Sequence, residues 1–141
     1  LTVVVVTPQH ALPTKEARAV LPNEVPLSTM VASTAQVAGL VSACYSGDLS
    51  LLSRSLDDKV VTPARIGLIP GGQNALDAAL GSGALGASIS GAGPSLFALC
   101  RSQRSAVATA NSMQQAIEAE GVSANIHISP ANCPGVRRVK P

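Results

Sequence analysis

The sequence predicts an α+β fold in which helices pack on one face of a mostly antiparallel sheet. Strand-like and helix-like apolar spacings follow one another along the chain, but not in the regular strand–helix order of a parallel sheet. Hydrophobic residues make up 46% of the chain, yet it contains one Phe, one Tyr and no Trp. The core must therefore consist of aliphatic side chains, which favours close packing of helices on a sheet. A chain of 141 residues is long enough for one domain with such a core.

Four segments have the composition of strands, and a fifth is a candidate edge strand. In chain order they are residues 2–6, 85–90, 96–100, 125–129 and 135–140. The first is a continuous β-branched run, which is typical of a central strand covered on both faces. A short glycine-rich loop joins the second and the third. In the fourth segment, Ile126 and Ile128 share one face.

Helical spacing of apolar residues predicts helices over residues 15–21, 28–46, 49–56, 74–80 and 105–120. Thr14 and Asp48 are the expected N-caps of the first and third, and Gly47 is the expected end of the second. Residues 57–72 are predicted to be irregular, because Pro63 and other breakers interrupt them. The second helix is predicted to be amphipathic, with an apolar face made of Met30, Val31, Ala38, Val41 and Tyr45.

Charge, hydropathy and cysteine content limit the partners and the compartment. The net charge is only +2, and the basic residues are scattered without aromatic neighbours, so no nucleic-acid surface is expected. No run approaches 18 unbroken apolar residues, so no membrane span is expected. The three cysteines are far apart and odd in number, which favours a reduced compartment. Cys44 and Cys100 lie in apolar segments and are expected to be buried.

Spacing alone assigns no catalytic side chain and no metal site. His10 and His127 lack ligand partners at a suitable distance along the chain, and Asp57 and Asp58 are expected to be a solvated pair in a loop. Residues 81–86 match the dinucleotide-binding pattern G-x-G-x-x-G, but a predicted helix precedes them and a predicted strand follows. The fingerprint requires the reverse order, so these glycines are expected to end a helix.

A glycine loop and a few cationic side chains are the features most typical of a binding site. Gly91 and Gly93 stand between two predicted strands, either as a tight hairpin turn or as a place where a ligand approaches the backbone. Thr14 and Arg18 lie near a predicted helix start, and Arg65 lies in a proline-rich loop. Arginines and backbone amides suit carboxylates and phosphates, although a single arginine is more often part of a surface ion pair. Composition and spacing therefore indicate a small-anion site and no more.

Four segments give the chain a resemblance to a known family. They are residues 13–18 (PTKEAR), 68–71 (LIPG), 83–86 (GALG) and 90–95 (SGAGPS). In this order and at these spacings they resemble the carboxyl-terminal half of the homoserine kinases, which are members of the GHMP kinases. The last segment resembles a motif shared by the GHMP kinases, and the first segment with the Arg65 loop narrows the resemblance to homoserine kinases. The resemblance covers nearly the whole chain.

This resemblance implies a ferredoxin-like fold and an activity. The activity is ATP- and Mg²⁺-dependent transfer of the γ-phosphate to the hydroxyl of L-homoserine, a step towards threonine. It implies that Arg18 and Arg65 hold the substrate carboxylate, that Thr14 lies beside the substrate, and that Gly91 and Gly93 line the site where substrate and phosphates meet. Phosphoryl transfer depends on positioning and charge stabilisation, which suits these residue types. A homodimer in the cytoplasm, or in the plastid stroma of a plant or alga, is also expected.

Two features depart from the family pattern. Ile66 and Gly67 stand where Ala-Pro is common after the arginine. The phosphate loop Gly-Leu-Gly-Ser-Ser of the second GHMP motif is absent, and the family's magnesium ligands lie in its amino-terminal half. We therefore expect residues 1–141 to be the substrate-side, carboxyl-terminal domain of a longer enzyme, inactive without the ATP-binding domain. The alternatives are another GHMP small-molecule kinase, or a non-catalytic amino-acid-binding module with a ferredoxin-like sheet.

Overall fold

A four-stranded antiparallel sheet forms the centre of the fold in a computed structural model, which describes residues 1–138. The strands are β1 (Thr2–Pro8), β2 (Gly86–Ile89), β3 (Leu96–Cys100) and β4 (Ala124–Pro130). They lie in the order β2-β3-β1-β4, and every neighbouring pair is antiparallel. The predicted α+β class is therefore confirmed. Residues 135–138 are not in a strand, which makes that part of the expected edge strand wrong, and residues 139–140 lie outside the described residues.

The helices are α1 (Thr14–Ala19), α2 (Leu27–Ser46), α3 (Leu49–Arg54), α4 (Val61–Arg65), α5 (Gly72–Gly81) and α6 (Gln103–Glu118). The order β1-α5-β2-β3-α6-β4 is that of a ferredoxin-like fold, with α1 to α4 inserted between β1 and α5. Helices α5 and α6 pack side by side on the sheet. The sheet and α6 contribute the largest fully buried apolar side chains of the main core, which are Val4, Val6, Leu96, Met113 and Ile117.

Strand β1 is deeply buried on one face only. Val4 and Val6 are fully buried in the main core, whereas Val3 and Val5 on the opposite face are half-buried. The prediction that this strand is covered on both faces is therefore wrong, because a β-branched run is equally compatible with one buried face. On that opposite face, Leu99 of β3 packs against a second, smaller apolar cluster, whose buried members are Ala43, Leu52 and Leu85.

Helix α2 presents most of its apolar side chains to solvent. The helix forms where the spacing predicts it, but Ala43 is its one buried residue. Helical periodicity is a local property, so it predicts the helix without showing what covers its apolar face. The large side chains of α2 that are at least half exposed are Leu27, Met30, Val31, Val37, Val41 and Tyr45.

The exposure of α2 bears on two further expectations. Cys44 lies on this helix and is exposed, so its expected burial is wrong, whereas Cys100 in β3 is buried as expected. Helix α2 has 20 residues and a mean hydropathy of 1.3 over an 18-residue window, which by length and composition is enough to cross a membrane. One such helix is weak evidence for a span. The expected absence of a membrane span therefore stays a prediction.

The segment of residues 57–72 is more regular than predicted. It contains α4 and the 3₁₀ turn Ile66–Leu68. Pro63 is tolerated because it is the third residue of α4, where a helix has no intrahelical acceptor for the N–H. Helix α5 begins directly after Gly71, which has a φ of +65°, and a Cβ there would lie 2.7 Å from the carbonyl oxygen of Ala116 in α6. This glycine therefore permits the close approach of α5 to α6.

Of the two predicted N-caps, Asp48 is confirmed and Thr14 is wrong. Asp48 caps α3, because its carboxylate accepts hydrogen bonds from the backbone N–H groups of Ser50 and Leu51, both at 2.9 Å. At α1 the expected cap is wrong. Pro13 occupies the N-cap position there, and Thr14 is the first residue of the helix. Proline has a fixed φ that suits the approach to a helix, and its side chain has no oxygen that could accept a cap hydrogen bond.

Candidate active site

Backbone hydrogen bonds close the glycine loop, defined here as residues 90–95. The N–H of Ser90 donates to the carbonyl of Ser95 at 2.8 Å, and the N–H of Gly93 donates to the carbonyl of Ser90 at 3.1 Å. Gly91 and Gly93 have φ angles of +62° and +88°, a region that disfavours side chains with a Cβ. The loop is therefore a hairpin connection between β2 and β3, which is compatible with either interpretation of its glycines.

The glycine loop lies against the chain that leads from β1 into α1. A Cβ at Gly93 would lie 3.2 Å from Leu12 Cδ2 and 3.2 Å from Ile69 Cδ1. The hydroxyl oxygens of Thr7, in β1, and Ser95 are 2.9 Å apart. Together these contacts place the loop beside the residues that precede α1.

Arg65, the last residue of α4, joins the glycine loop to α1. Arg65 is buried, with only 8% of the residue exposed to solvent. Its Nε donates to the carbonyl oxygen of Ala17 in α1 at 2.6 Å, and its Nη1 donates to the carbonyl oxygen of Gly91 at 3.2 Å. A buried guanidinium needs such partners, because an unpaired charge away from water is costly. We call this arrangement the Arg65 clamp.

Thr14 and Arg18 lie on α1, the helix that the Arg65 clamp holds. Both are exposed, and Arg18 directly follows Ala17, whose carbonyl accepts the hydrogen bond from Arg65. Within residues 1–138, Arg18 forms no ion pair at 4.0 Å or less. The structure therefore brings Arg65 into contact with Gly91 and with the helix of Thr14 and Arg18. It shows no direct contact of either α1 side chain with the guanidinium.

The expectation that Asp58 is a solvated loop residue is wrong. Asp58 is not half of a solvated pair, because one carboxylate oxygen accepts from the N–H groups of Val60 and Val61 at 2.9 and 3.0 Å. The other oxygen accepts from the N–H and the hydroxyl of Thr62 at 2.7 and 2.9 Å. Asp57 does remain exposed, in an ion pair with Lys59. An Asp shortly before a proline-containing first turn is a recognisable helix start, and that signal could have identified α4.

The pKa of Asp58 reflects two opposing effects. Partial burial raises the pKa of this carboxyl, because it disfavours the charged form. The hydrogen bonds from Val60, Val61 and Thr62 favour the charged form and outweigh burial, so the pKa of Asp58 lies below its ordinary value. Asp58 is therefore a carboxylate at neutral pH, which is the form that accepts hydrogen bonds from the N–H groups at the start of α4.

Two neighbouring cavities lie close to Asp58, with volumes of about 380 and 240 Å³. Both are lined by Leu56, Asp57, Asp58 and Ser88. The predicted site residues line neither cavity. The predicted site is instead a surface around the Arg65 clamp that is open on the side of α1, where Thr14 and Arg18 are exposed.

The groups around the Arg65 clamp suit an anion better than a metal ion. Among residues 1–138, no group of three or more His, Cys, Asp or Glu side chains could hold a metal. Mg²⁺ prefers carboxylate, phosphate and water oxygens, so the described residues do not fit a magnesium site by themselves. Guanidinium groups and loop amides do fit the oxygens of a carboxylate or a phosphate.

The fold and the site correspond to a known class of protein. Residues 40–119, more than half of the chain, match the family described as GHMP kinases C terminal. The chain therefore belongs to the GHMP kinase carboxyl-terminal family.

Within this class the chain is similar to homoserine kinases. It is 40% identical over 133 residues to the homoserine kinase of Xanthomonas campestris pv. campestris, covering 94% of this chain and 41% of that protein. It is 39% identical over 128 residues to the homoserine kinase of Thermococcus kodakarensis, covering 91% and 43%. The crystal structure of homoserine kinase from Cytophaga hutchinsonii matches with a TM-score of 0.90 and 40% identity, over 92% of this chain and 41% of that one.

These comparisons confirm the predicted resemblance to homoserine kinases and the ferredoxin-like α+β fold. The chain spans about two fifths of the length of the relatives that it matches. The activity of a whole kinase therefore concerns more polypeptide than these residues, and the roles of Thr14, Arg18, Arg65, Gly91 and Gly93 stay predictions.

Proposed function

We propose that this chain is the substrate-side domain of an ATP-dependent homoserine kinase, with residues 1–141 as its carboxyl-terminal domain. The full-length enzyme transfers the γ-phosphate of ATP to the hydroxyl of L-homoserine, a step in threonine biosynthesis. The observation that carries the proposal is the Arg65 clamp, which joins α1 to the glycine loop. It does so in a chain 40% identical to a homoserine kinase.

Each site residue has a role that its chemistry and position support. Arg18 is exposed, so its planar guanidinium is free to bind the carboxylate of the amino-acid substrate with two parallel hydrogen bonds. Arg65 has five N–H donors, and those not directed at the Ala17 and Gly91 carbonyls are assigned to the same carboxylate. Thr14 lies beside the substrate at the start of α1.

The glycine loop supplies the backbone side of the same site. Gly91 allows a ligand to approach the loop without meeting a Cβ, because nothing lies within 4 Å of a Cβ built there, whereas the missing Cβ of Gly93 lets the loop lie against Leu12 and Ile69 beside the same site. Two arginines with backbone groups beside them hold a small zwitterion in one orientation. Such positioning is the larger part of phosphoryl-transfer catalysis.

ATP and Mg²⁺ are the proposed cofactors, and their ligands are assigned to the polypeptide outside this chain. ATP supplies the phosphoryl group and Mg²⁺ neutralises the phosphate charge. Among the described residues, no cluster of three or more His, Cys, Asp or Glu side chains could hold the metal ion, so no residue of this chain is assigned to it. The proposed partner is a second copy of the protein in a homodimer, with neither nucleic acid nor a membrane. The proposed location is the cytoplasm, or the plastid stroma of a plant or alga.

The proposal is tested by measuring ADP release by the full-length protein with ATP, Mg²⁺ and L-homoserine. Galactose and mevalonate serve as alternative alcohols, and the 141-residue chain is assayed in parallel. We expect turnover with homoserine by the full-length protein and none by the chain alone. Turnover with another alcohol instead would identify a different GHMP kinase. Homoserine binding without turnover by the full-length protein would identify a non-catalytic module.

A further inference from the structure

Helix α4 is attached to the β2 hairpin at two points. The hydroxyl oxygens of Thr62 in α4 and Ser88 in β2 are 2.8 Å apart. At the other end of α4, the Nη1 of Arg65 donates to the carbonyl of Gly91 in the glycine loop. Both attachments join residues 26 apart in sequence, so α4 runs alongside the segment from Ser88 to Gly91. The contact between Thr62 and Ser88 therefore helps to set the position at which Arg65 meets the carbonyl of Gly91.

The first attachment depends on Asp58. The hydroxyl of Thr62 donates to Asp58 Oδ2 at 2.9 Å, which orients the Thr62 side chain while its oxygen lies next to Ser88. Asp58 also accepts three backbone N–H groups at the start of α4. Helix α4 has only five residues, and a helix of that length is not stable without its caps and tertiary contacts. Asp58 is thus the group on which the start of α4 is built.

We propose that Asp58 is a positioning residue for the substrate site, which acts through α4 and Thr62 to hold Arg65 against the glycine loop and α1. The expected effect on homoserine binding rests on the proposed function, whereas the expected effect on α4 and on the direction of Arg65 does not. When Asp58 is lost, the start of α4 frays, the link from Thr62 to Ser88 loosens, and the Arg65 guanidinium loses its fixed direction. The substrate carboxylate then meets a mobile cation instead of a preorganised one.

The test uses the full-length protein with Asp58→Ala, Asp58→Asn and Asp57→Ala. Asp57→Ala is the matched control, because this adjacent carboxylate is exposed and, among residues 1–138, its ion pair is with Lys59 alone. We expect Asp58→Ala to raise KM for homoserine about fivefold to tenfold, with KM for ATP within about twofold. Asparagine has one acceptor oxygen where Asp58 uses two, so Asp58→Asn should keep the bonds from Val60 and Val61, lose those from Thr62, and raise KM for homoserine by an intermediate amount. Thr62→Val, which removes only the hydroxyl link, should reproduce the KM increase even if Asp58→Ala does not fold.

A double-mutant cycle separates positioning from a general loss of stability. If Asp58 acts through Arg65, combining Asp58→Asn or Thr62→Val with Arg65→Lys should raise KM for homoserine little beyond Arg65→Lys alone. Fully additive effects would overturn the proposal. So would a KM for homoserine unchanged in both Asp58→Ala and Thr62→Val, or equal increases in KM for ATP and homoserine.

Hydrogen exchange distinguishes failure of this inference from failure of the proposed function. The amides of Ser90 and Gly93 are bonded within the glycine loop, so their exchange reports its closure. Faster exchange in Asp58→Ala and Thr62→Val than in Asp57→Ala supports the inference, whether or not the protein phosphorylates homoserine. Equal exchange in all these variants would overturn it. Absence of homoserine turnover in the wild-type protein with faster loop exchange in the variants would refute the proposed function alone.

Discussion

Replacing Arg65 should affect both the stability of the protein and its affinity for substrate. In Arg65→Met the residue keeps much of its apolar length but loses the hydrogen bonds to the carbonyls of Ala17 and Gly91. A hydrogen bond from a charged donor contributes about 1.5–3 kcal/mol, and an unpaired buried acceptor costs about 1–3 kcal/mol. Because water can reach part of the site, we expect a total loss of about 2–4 kcal/mol.

Arg18→Met is the matched comparison for this prediction. Arg18 is exposed and forms no ion pair within residues 1–138, so its replacement should leave the thermal midpoint nearly unchanged. If both arginines bind the substrate carboxylate, each variant loses about 2–4 kcal/mol of binding, which is roughly two orders of magnitude in KM for homoserine. Arg54→Met, on the exposed surface of α3, should change neither quantity.

Two measurements on the full-length protein separate these outcomes. Differential scanning calorimetry should show a midpoint lower by about 3 °C or more for Arg65→Met only. Steady-state kinetics should show a raised KM for homoserine in Arg65→Met and Arg18→Met. An unchanged midpoint in Arg65→Met would refute the clamp, and an unchanged KM in either variant would remove that arginine from the substrate site.

Three further predictions concern the glycine loop, Asp58 and α2. Gly93→Ala should destabilise the protein by about 1–2 kcal/mol more than Gly91→Ala, because both have positive φ but only Gly93 has side chains within 4 Å of an added Cβ. Equal urea midpoints for the two variants would contradict this. Because the folded-state pKa of Asp58 is lowered, its charge stabilises the fold above its unfolded pKa of about 3.9, and this contribution disappears as the pH falls through the folded value. The stability difference between wild type and Asp58→Asn should therefore shrink between pH 6 and pH 3, and a constant difference would refute the assignment. The isolated chain should self-associate through the exposed apolar face of α2, and Val37→Lys with Val41→Lys should increase its monomer fraction in size-exclusion chromatography. A wild-type chain that elutes as a monomer at high concentration would show this wrong.

Local features of the sequence determined much of the fold and the position of the glycine loop. The alternation in residues 85–90 and the apolar run in 96–100 predicted β2 and β3, because side-chain alternation is a property of each strand by itself. Two glycines between these strands indicated a loop with positive φ, and both glycines have it. The helical spacing of residues 105–120 likewise predicted α6 to within about two residues.

Tertiary structure decided what covers each face and which residues meet. The apolar spacing of α2 predicted the helix but not the exposure of its apolar face, because exposure depends on what packs there. Helix α4, by contrast, was missed for a local reason: Pro63 is a helix breaker unless it falls in a first turn, and the hydrogen bonds of Asp58 to residues two to four positions ahead mark that turn.

The candidate site shows the same division most clearly. The sequence named Thr14, Arg18, Arg65, Gly91 and Gly93 as candidates through residue chemistry and family resemblance. It could not show that Arg65 is buried between the Ala17 and Gly91 carbonyls, 48 and 26 residues away. Such contacts depend on chain segments that only the packed sheet and its inserted helices bring together. The sequence therefore indicated which kinds of groups form the site, whereas the fold decided which of these groups contact one another.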